Sequence, residues 1–251
     1  MSDFKLTNKV VQANKLVQQT NWTLNEIPLK IFKVLVSCIN TSKQNEHDII
    51  TITKKELMSI VGTGKNYSFL ETQLKSLLDE KLVIGTEESR IYLSIIDSVE
   101  WFIHQDIVKV RFSPTIMPFL VELKNNFLQY DVTVVKELNS KYSLIIYEYL
   151  LSRERHERNK HRTYRIDIKE LRRLTDTIDK YSRILDFEKR VLIAAKEEIN
   201  NTRGLEFLMD YSKVKVGRRI TAIDFKIRKR TSYKETEFDD VAKPEWLTRE
   251  I

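Results

Sequence analysis

The sequence contains a second copy of its own pattern, offset by 114 residues. At that offset Ile31 meets Ile145, Ile52 meets Ile166, and Lys55-Glu56-Leu57 meets Lys169-Glu170-Leu171. Without a gap, Thr63 then meets Thr177, Tyr67-Ser68 meets Tyr181-Ser182, Lys75 meets Lys189 and Leu78 meets Leu192. Conservative pairs such as Phe32/Ile146, Ile60/Leu174 and Leu70/Ile184 fill the intervals. A long repeat of this kind means one supersecondary unit built twice, so the unit has to be read before the whole.

Both copies read alike. An amphipathic helix comes first, over Thr23–Asn40 and Ser140–Arg153, the earlier one opened by Thr23-Leu24-Asn25-Glu26 at capping-box spacing. A short alternating stretch follows, Ile49–Thr53 and Thr163–Asp167. Next come a short helix (Lys54–Val61, Ile168–Leu174), a polar turn and a longer helix (Tyr67–Lys81, Tyr181–Asn200). The pattern then changes to period two. Copy one reads as strands over Leu82–Gly85, Arg90–Asp97 and Glu100–Phe112, with Val108, Val110 and Phe112 on one face. Copy two reads as a hairpin, Leu205–Val216 and Arg218–Arg228, turning at Gly217 with Ile223, Phe225 and Ile227 inward. Helix, strand, helix, turn, helix and hairpin is the order of a winged helix-turn-helix. The predicted fold is α+β and helix-rich: two tandem winged-helix domains, over 1–129 and 130–230, with an acidic tail over 231–251. Between the copies, 113–130 is expected to be a short, packed, partly helical link.

Composition agrees. Five Gly and four Pro in 251 residues leave little room for long Gly-dependent loops, and 41% hydrophobic residues suffice for a core. Cys38 is the only cysteine, which excludes an internal disulfide and fits a reducing compartment. With no apolar signal core at the N-terminus and no span-length apolar run, the expectation is a cytoplasmic protein without membrane contact.

Charge separates the copies. Residues 1–129 carry 15 basic and 14 acidic side chains, residues 130–230 carry 25 and 16, and residues 231–251 carry 3 and 6. A polyanion would therefore be met mainly by the second half. In a helix-turn-helix the second helix enters the major groove. In copy two, Ile184, Leu185, Val191, Leu192, Ala195 and Ile199 are the expected buried stripe, leaving Lys180, Tyr181, Ser182, Arg183, Lys189 and Arg190 for DNA. The same face could equally be a solvated one crossed by pairs such as Asp186 with Arg190. Two basic runs favour DNA: 153–162, with Arg158 and Arg162, and 213–219, with Arg218 and Arg219 at the hairpin turn. Phosphate contacts from such runs supply affinity and register. The matching positions of copy one, Lys65, Asn66, Ser68 and Lys75, are interrupted by Glu71 and Asp79. This copy is expected to make weaker DNA contact, a protein interface, or both.

No catalytic site is legible. Gly62-Thr63-Gly64-Lys65-Asn66 resembles part of a phosphate-binding loop, but Ser59 stands at its first Gly position and Asn66 at its Ser/Thr position, so it reads as the turn of copy one. His156 and His161 have no companion ligands, and His47 and His104 are isolated, so neither a metal nor another cofactor is expected. Nicking chemistry would need a His-apolar-His pair beside a nucleophilic tyrosine, and only Tyr67 and Tyr181, at equivalent helix starts, could be cited for it.

Several motifs taken together resemble the replication initiators of theta-replicating bacterial plasmids. They are Val10-Val11-Gln12-Ala13-Asn14-Lys15-Leu16, Leu24-Asn25-Glu26, Ser140-Lys141-Tyr142-Ser143 through Tyr147-Glu148-Tyr149-Leu150, Glu170-Leu171-Arg172, Tyr181, and Phe187 with Lys189-Arg190-Val191. The resemblance spans roughly residues 8–230. It implies two winged-helix domains that bind directly repeated origin sequences (iterons) in double-stranded DNA as monomers. It also implies dimers that bind an inverted-repeat operator and repress the initiator's own gene, and recruitment of host helicase and primase machinery without nucleotide hydrolysis or strand cleavage. Carried over to this sequence, the reading helix would use Lys180, Ser182, Arg183, Lys189 and Arg190. A transcriptional regulator without a replication role, and a nicking enzyme, are the competing readings.

Overall fold

The offset of 114 survives in three dimensions. In the computed structural model, which describes residues 2–39, 49–85, 88–121, 123, 126–154 and 162–230, the strands β3 (Ile49–Ile52) and β9 (Thr163–Asp167) start one repeat apart. So do the helices after them, α3 (Lys54–Val61) and α7 (Ile168–Leu174). Each follows a first helix, α2 (Glu26–Ser37) or α6 (Lys141–Glu154), and each leads into a turn and a longer helix. The fold is two tandem winged helices.

In the first copy the long helix is α4 (Tyr67–Asp79), and two hairpins follow it. Strands β4 (Lys81–Gly85) and β5 (Arg90–Ser94) form a sheet with β2 (Thr20–Asn21) in the order β2-β4-β5. Strands β6 (Ile96–Trp101) and β7 (Val108–Phe112) join β3 in the order β3-β7-β6. Val108, Val110 and Phe112 are fully buried on the inner face, as the alternation requires. The Gly-Thr-Gly segment is the turn of this copy: Gly62, at φ 79°, ends α3 in the left-handed conformation, with its N–H on the Met58 carbonyl.

The predicted capping box at Thr23 does not form. Helix α2 begins at Glu26 after Asn25, and no side chain caps it. The reciprocal box lies instead at the head of α3, where Thr53 Oγ1 accepts from Glu56 N–H at 3.1 Å and Glu56 returns to Thr53 N–H at 3.0 Å. Thr53 directly precedes a helix whose backbone donors need partners, whereas Thr23 lies two residues outside one.

The link between the copies contains a strand that period-two counting did not reveal. Its β8 (Phe127–Asp131) pairs antiparallel with β1 (Lys9–Ala13), register Val10↔Tyr130, after a single 3₁₀ turn at Met117–Phe119. Helix α5 (Thr133–Glu137) then packs on α2 and α3. These residues thus pack with the first half.

Helix α6 is buried from Ser143 to Ser152 on all sides, because it packs between α1 (Asn14–Gln19) and α9 (Ala194–Asn201). Glu148 sits in the middle of this buried span. Its carboxylate lies 2.8 Å from Lys33 Nζ and accepts from Gln12 Nε2 at 2.7 Å and Tyr130 Oη at 2.6 Å. Lys33 also donates to Gln12 Oε1 at 2.9 Å and lies 4.0 Å from the Trp22 ring centre. Burial lowers the Lys33 pKa, while Glu148 opposes that shift. The network joins β1, α2, β8 and α6, so the first helix of copy two is fixed to the first half. Further ties are Arg173 donating to the Gln19 carbonyl (2.8 Å) and Lys141 to that of Leu24 (3.2 Å).

Candidate nucleic-acid interface

The long helix of copy two starts later and winds differently than its sequence suggests. It begins at Ile184, not Tyr181: α8 (Ile184–Phe187) continues through a π-helical turn (Glu188–Ile193) into α9. We refer to this continuous rod as the reading helix. Its buried side is Phe187, Val191, Leu192, Ala195 and Ile199. Leu185, expected in that stripe, is instead 70% exposed. Phe187 occupies the core there, and the wider π turn brings Val191 and Leu192 back onto the buried side.

The turn before the reading helix is held by Arg172, from the last turn of α7. Its guanidinium donates to the carbonyls of Thr177 (2.8 Å), Lys180 (2.9 Å) and Tyr181 (2.9 Å) and lies 4.4 Å from the Phe187 ring centre. Two residues of this turn, Asp176 (φ 53°) and Tyr181 (φ 55°), adopt the left-handed conformation without being glycine, and charge-assisted hydrogen bonds to three carbonyls offset that cost. Tyr181 is consequently a turn residue, whereas Tyr67 does start a helix. The Tyr181 hydroxyl lies 3.3 Å from that of Tyr142, the rings packing edge-on, and burial with this contact raises the Tyr142 pKa.

The wing hairpin runs alongside the reading helix, its base on the C-terminal half. Strands β10 (Phe207–Val216) and β11 (Arg219–Lys229) turn at Gly217-Arg218, and β9 completes the sheet β10-β11-β9. Asn200 pairs with Met209 (2.8 Å each way), Lys196 with Asp210 (2.7 Å), and Glu188 with Lys213 (2.8 Å) and Tyr211 (3.1 Å). Going up β10 therefore means going back along the helix toward its start, and the turn with Arg218 and Arg219 projects beyond it on that side.

Ion pairs divide the cations into two groups. Lys213, Lys196 and Arg165 (bidentate to Asp224, 2.7 and 2.8 Å) are neutralised within the fold, as is Lys180 by Asp176. Arg183, Lys189, Arg218 and Arg219 are exposed and form no ion pair among the described residues; Ser182 is exposed beside them. Arg190 is exposed too, 5.7 Å from the Tyr181 ring centre. Asp186 lies on this face, without the anticipated pair to Arg190. Unpaired cations thus lie on the outer side of the reading helix and at the wing turn, although Lys136, Lys169, Arg203 and Arg228 are also exposed without an ion pair among the described residues of this copy.

Of the basic run after α6, only its two ends are among the described residues. Arg158 is outside the described residues. Arg162 sits 3.9 Å from Glu154, and its carbonyl accepts from Ile227 N–H. The β9–β11 register, Lys226 opposite Thr163, puts this end roughly 25 Å from the wing turn at about 3.3 Å per residue. Arg162 is therefore not part of the reading-helix and wing-turn surface.

In copy one, Asn66 Oδ1 caps α4 by accepting from Phe69 N–H (2.9 Å), and Lys75 lies 3.5 Å from Glu71. Lys65 and Ser68 are exposed next to Tyr67 and Phe69, themselves 39% and 42% exposed. The surface is less cationic and more apolar than its counterpart. Among the described residues no acid or sulfur–histidine cluster could hold a metal, and no helix is long and apolar enough to cross a membrane.

Fold and face together define a tandem winged-helix protein whose second copy presents a cationic helix-and-wing surface. Comparison with known proteins places it further. Residues 9–151 match the family model described as initiator replication protein, WH1, and residues 167–227 match initiator Rep protein, WH2. The chain belongs to the initiator replication protein family. Among solved structures it is similar to the Pi initiator protein crystallised in complex with iteron DNA, at 18% identity and TM-score 0.70, covering 91% of this chain and 100% of that one. It is also similar to domains 2 and 3 of RctB, at 12% identity and TM-score 0.50, covering 81% and 80%. At these identities both likenesses speak to the fold.

Proposed function

We propose that this protein initiates replication of a plasmid by binding directly repeated origin sequences through its second winged helix. The observation that carries the reading is the cluster of unpaired, exposed Arg183, Lys189 and Arg190 on the reading helix with Arg218 and Arg219 at the adjoining wing turn. A helix presenting arginines can enter the major groove and make bidentate contacts to guanine. A wing turn with two adjacent arginines suits phosphate or the neighbouring minor groove. Ser182 and Lys180 flank the reading surface, and Tyr181 supports it by shaping the turn. The family and the iteron complex of the similar Pi initiator favour repeats as the target.

The two copies divide the work. Residues 130–230 are the main DNA reader. Residues 1–129 form dimers and make an auxiliary contact through Lys65, Ser68 and Lys75, Asn66 acting through the helix it caps. Dimers bind an inverted-repeat operator and repress the gene, and monomers on the repeats recruit host helicase and primase. No step requires catalysis by this chain or a cofactor. Footprinting on the DNA that flanks the gene tests the reading: several evenly spaced, directly repeated protected sites are expected. A single operator site would point to a regulator without a replication role.

A further inference from the structure

Leu185 is an anomaly on the cationic face. Leucine normally contributes to the core, yet this one is 70% exposed in the first turn of the reading helix, between Arg183 and Asp186 and one turn before Lys189. Its place in the core is taken by Phe187, which is fully buried under Arg172. Leu185, Lys189 and Ile193 follow one another at intervals of four along the outer side, and Ile193 is 37% exposed. Among the described residues this side chain is not packed against the core, and the cations around it suit a polyanion better than an apolar protein surface.

DNA offers one apolar group in the major groove, the C5-methyl of thymine. Residues in the first turn of a recognition helix are those that reach base edges. We infer that Leu185 is a specificity-determining residue that packs against a thymine methyl in the repeat, while Arg183 and Arg190 contact neighbouring bases. The inference rests on the reading of copy two as the DNA reader. It adds that one position of the target is recognised by an apolar contact.

The test uses the full chain and a duplex carrying one protected repeat, with each thymine replaced in turn by deoxyuridine, which lacks only the methyl. Burying one methyl is worth about 0.8 kcal/mol, or about fourfold in affinity. The wild type should therefore lose roughly three- to tenfold at one thymine, or at two adjacent ones. Leu185→Ala should bind the thymine duplex correspondingly more weakly and be indifferent to that same replacement, while Leu185→Met keeps part of the discrimination. As an exposed residue, Leu185 can be changed without unfolding the protein, which an unaltered circular-dichroism melt would verify. Leu185→Ala discriminating thymine from uracil as the wild type does would overturn the inference. So would a wild type that binds the repeat but ignores every thymine methyl. If the wild type bound no repeat at all, the reading of copy two would itself have failed.

Discussion

Replacing Glu148 by Gln should destabilise the protein far more than its nearly unchanged shape suggests. Glu148 and Lys33 are completely buried. The carboxylate is matched by one ammonium and two neutral donors, Gln12 and Tyr130. Glutamine still offers Tyr130 an acceptor, but it leaves the Lys33 ammonium in a dry site with only the Gln12 oxygen and the Trp22 ring. Removing one member of a buried ion pair costs about 3–5 kcal/mol, because the remaining charge is uncompensated. Lys33→Met should cost less, about 2–4 kcal/mol, since the stranded carboxylate keeps both neutral donors. The double variant removes both charges together, so its cost should fall short of the sum of the single costs by at least about 2 kcal/mol. Urea denaturation of the full chain, followed by circular dichroism, gives all three values. A Glu148→Gln cost under about 1 kcal/mol, or costs that add within about 0.5 kcal/mol, would mean that no buried charge is stranded.

Arg172 should behave as a positioning residue: Arg172→Ala is expected to weaken repeat binding by about tenfold or more without changing its salt dependence, because the guanidinium's donors are taken up by three turn carbonyls. Anisotropy titrations at several salt concentrations check this, and a slope reduced by about one would mean that Arg172 touches DNA instead. Burial pushes the Cys38 thiol up to about 12 from 9.0. In the unfolded chain the thiol ionises above about pH 9, whereas in the folded protein it stays protonated to about 12, so its contribution to stability is intact below pH 9 and is lost as pH rises through that window. Denaturation midpoints measured at pH 8 and pH 10 should thus fall less for Cys38→Ala than for the wild type, and native alkylation by iodoacetamide should stay slow at pH 9.

The repeat made much of the fold legible, because it pairs α2, β3, α3 and α4 of the first copy with α6, β9, α7 and the reading helix of the second. What it could not show arose from contacts between segments far apart in sequence. The β1–β8 pair joins strands more than a hundred residues apart, and Val10-Val11-Gln12 gives no sign of its partner. Lys33 and Glu148 each stand inside an apolar helix, which was the available signal for a buried pair, yet only packing reveals that they meet. On the reading helix, ideal helical counting put Leu185 in the core, since a π turn has no sequence signature that such counting detects. Charge counting found the cationic half but could not separate free arginines from those engaged in the fold. Arg172 and Arg165 are bound up internally, whereas Arg183 and Arg218 are not.

We propose that the reading helix of copy two recognises bases while the wing supplies sequence-independent affinity. Measuring the affinities of wild type, Arg183→Ala, Arg190→Ala and Arg218→Ala for the repeat and for a scrambled duplex, across a range of salt, tests it most directly. The two helix variants should lose about 1–3 kcal/mol on the repeat and much less on the scrambled duplex. Arg218→Ala should lose similar affinity on both and show a shallower salt slope. Helix variants that bind the repeat as the wild type does, or that weaken on both duplexes equally, would rule out base reading by this helix.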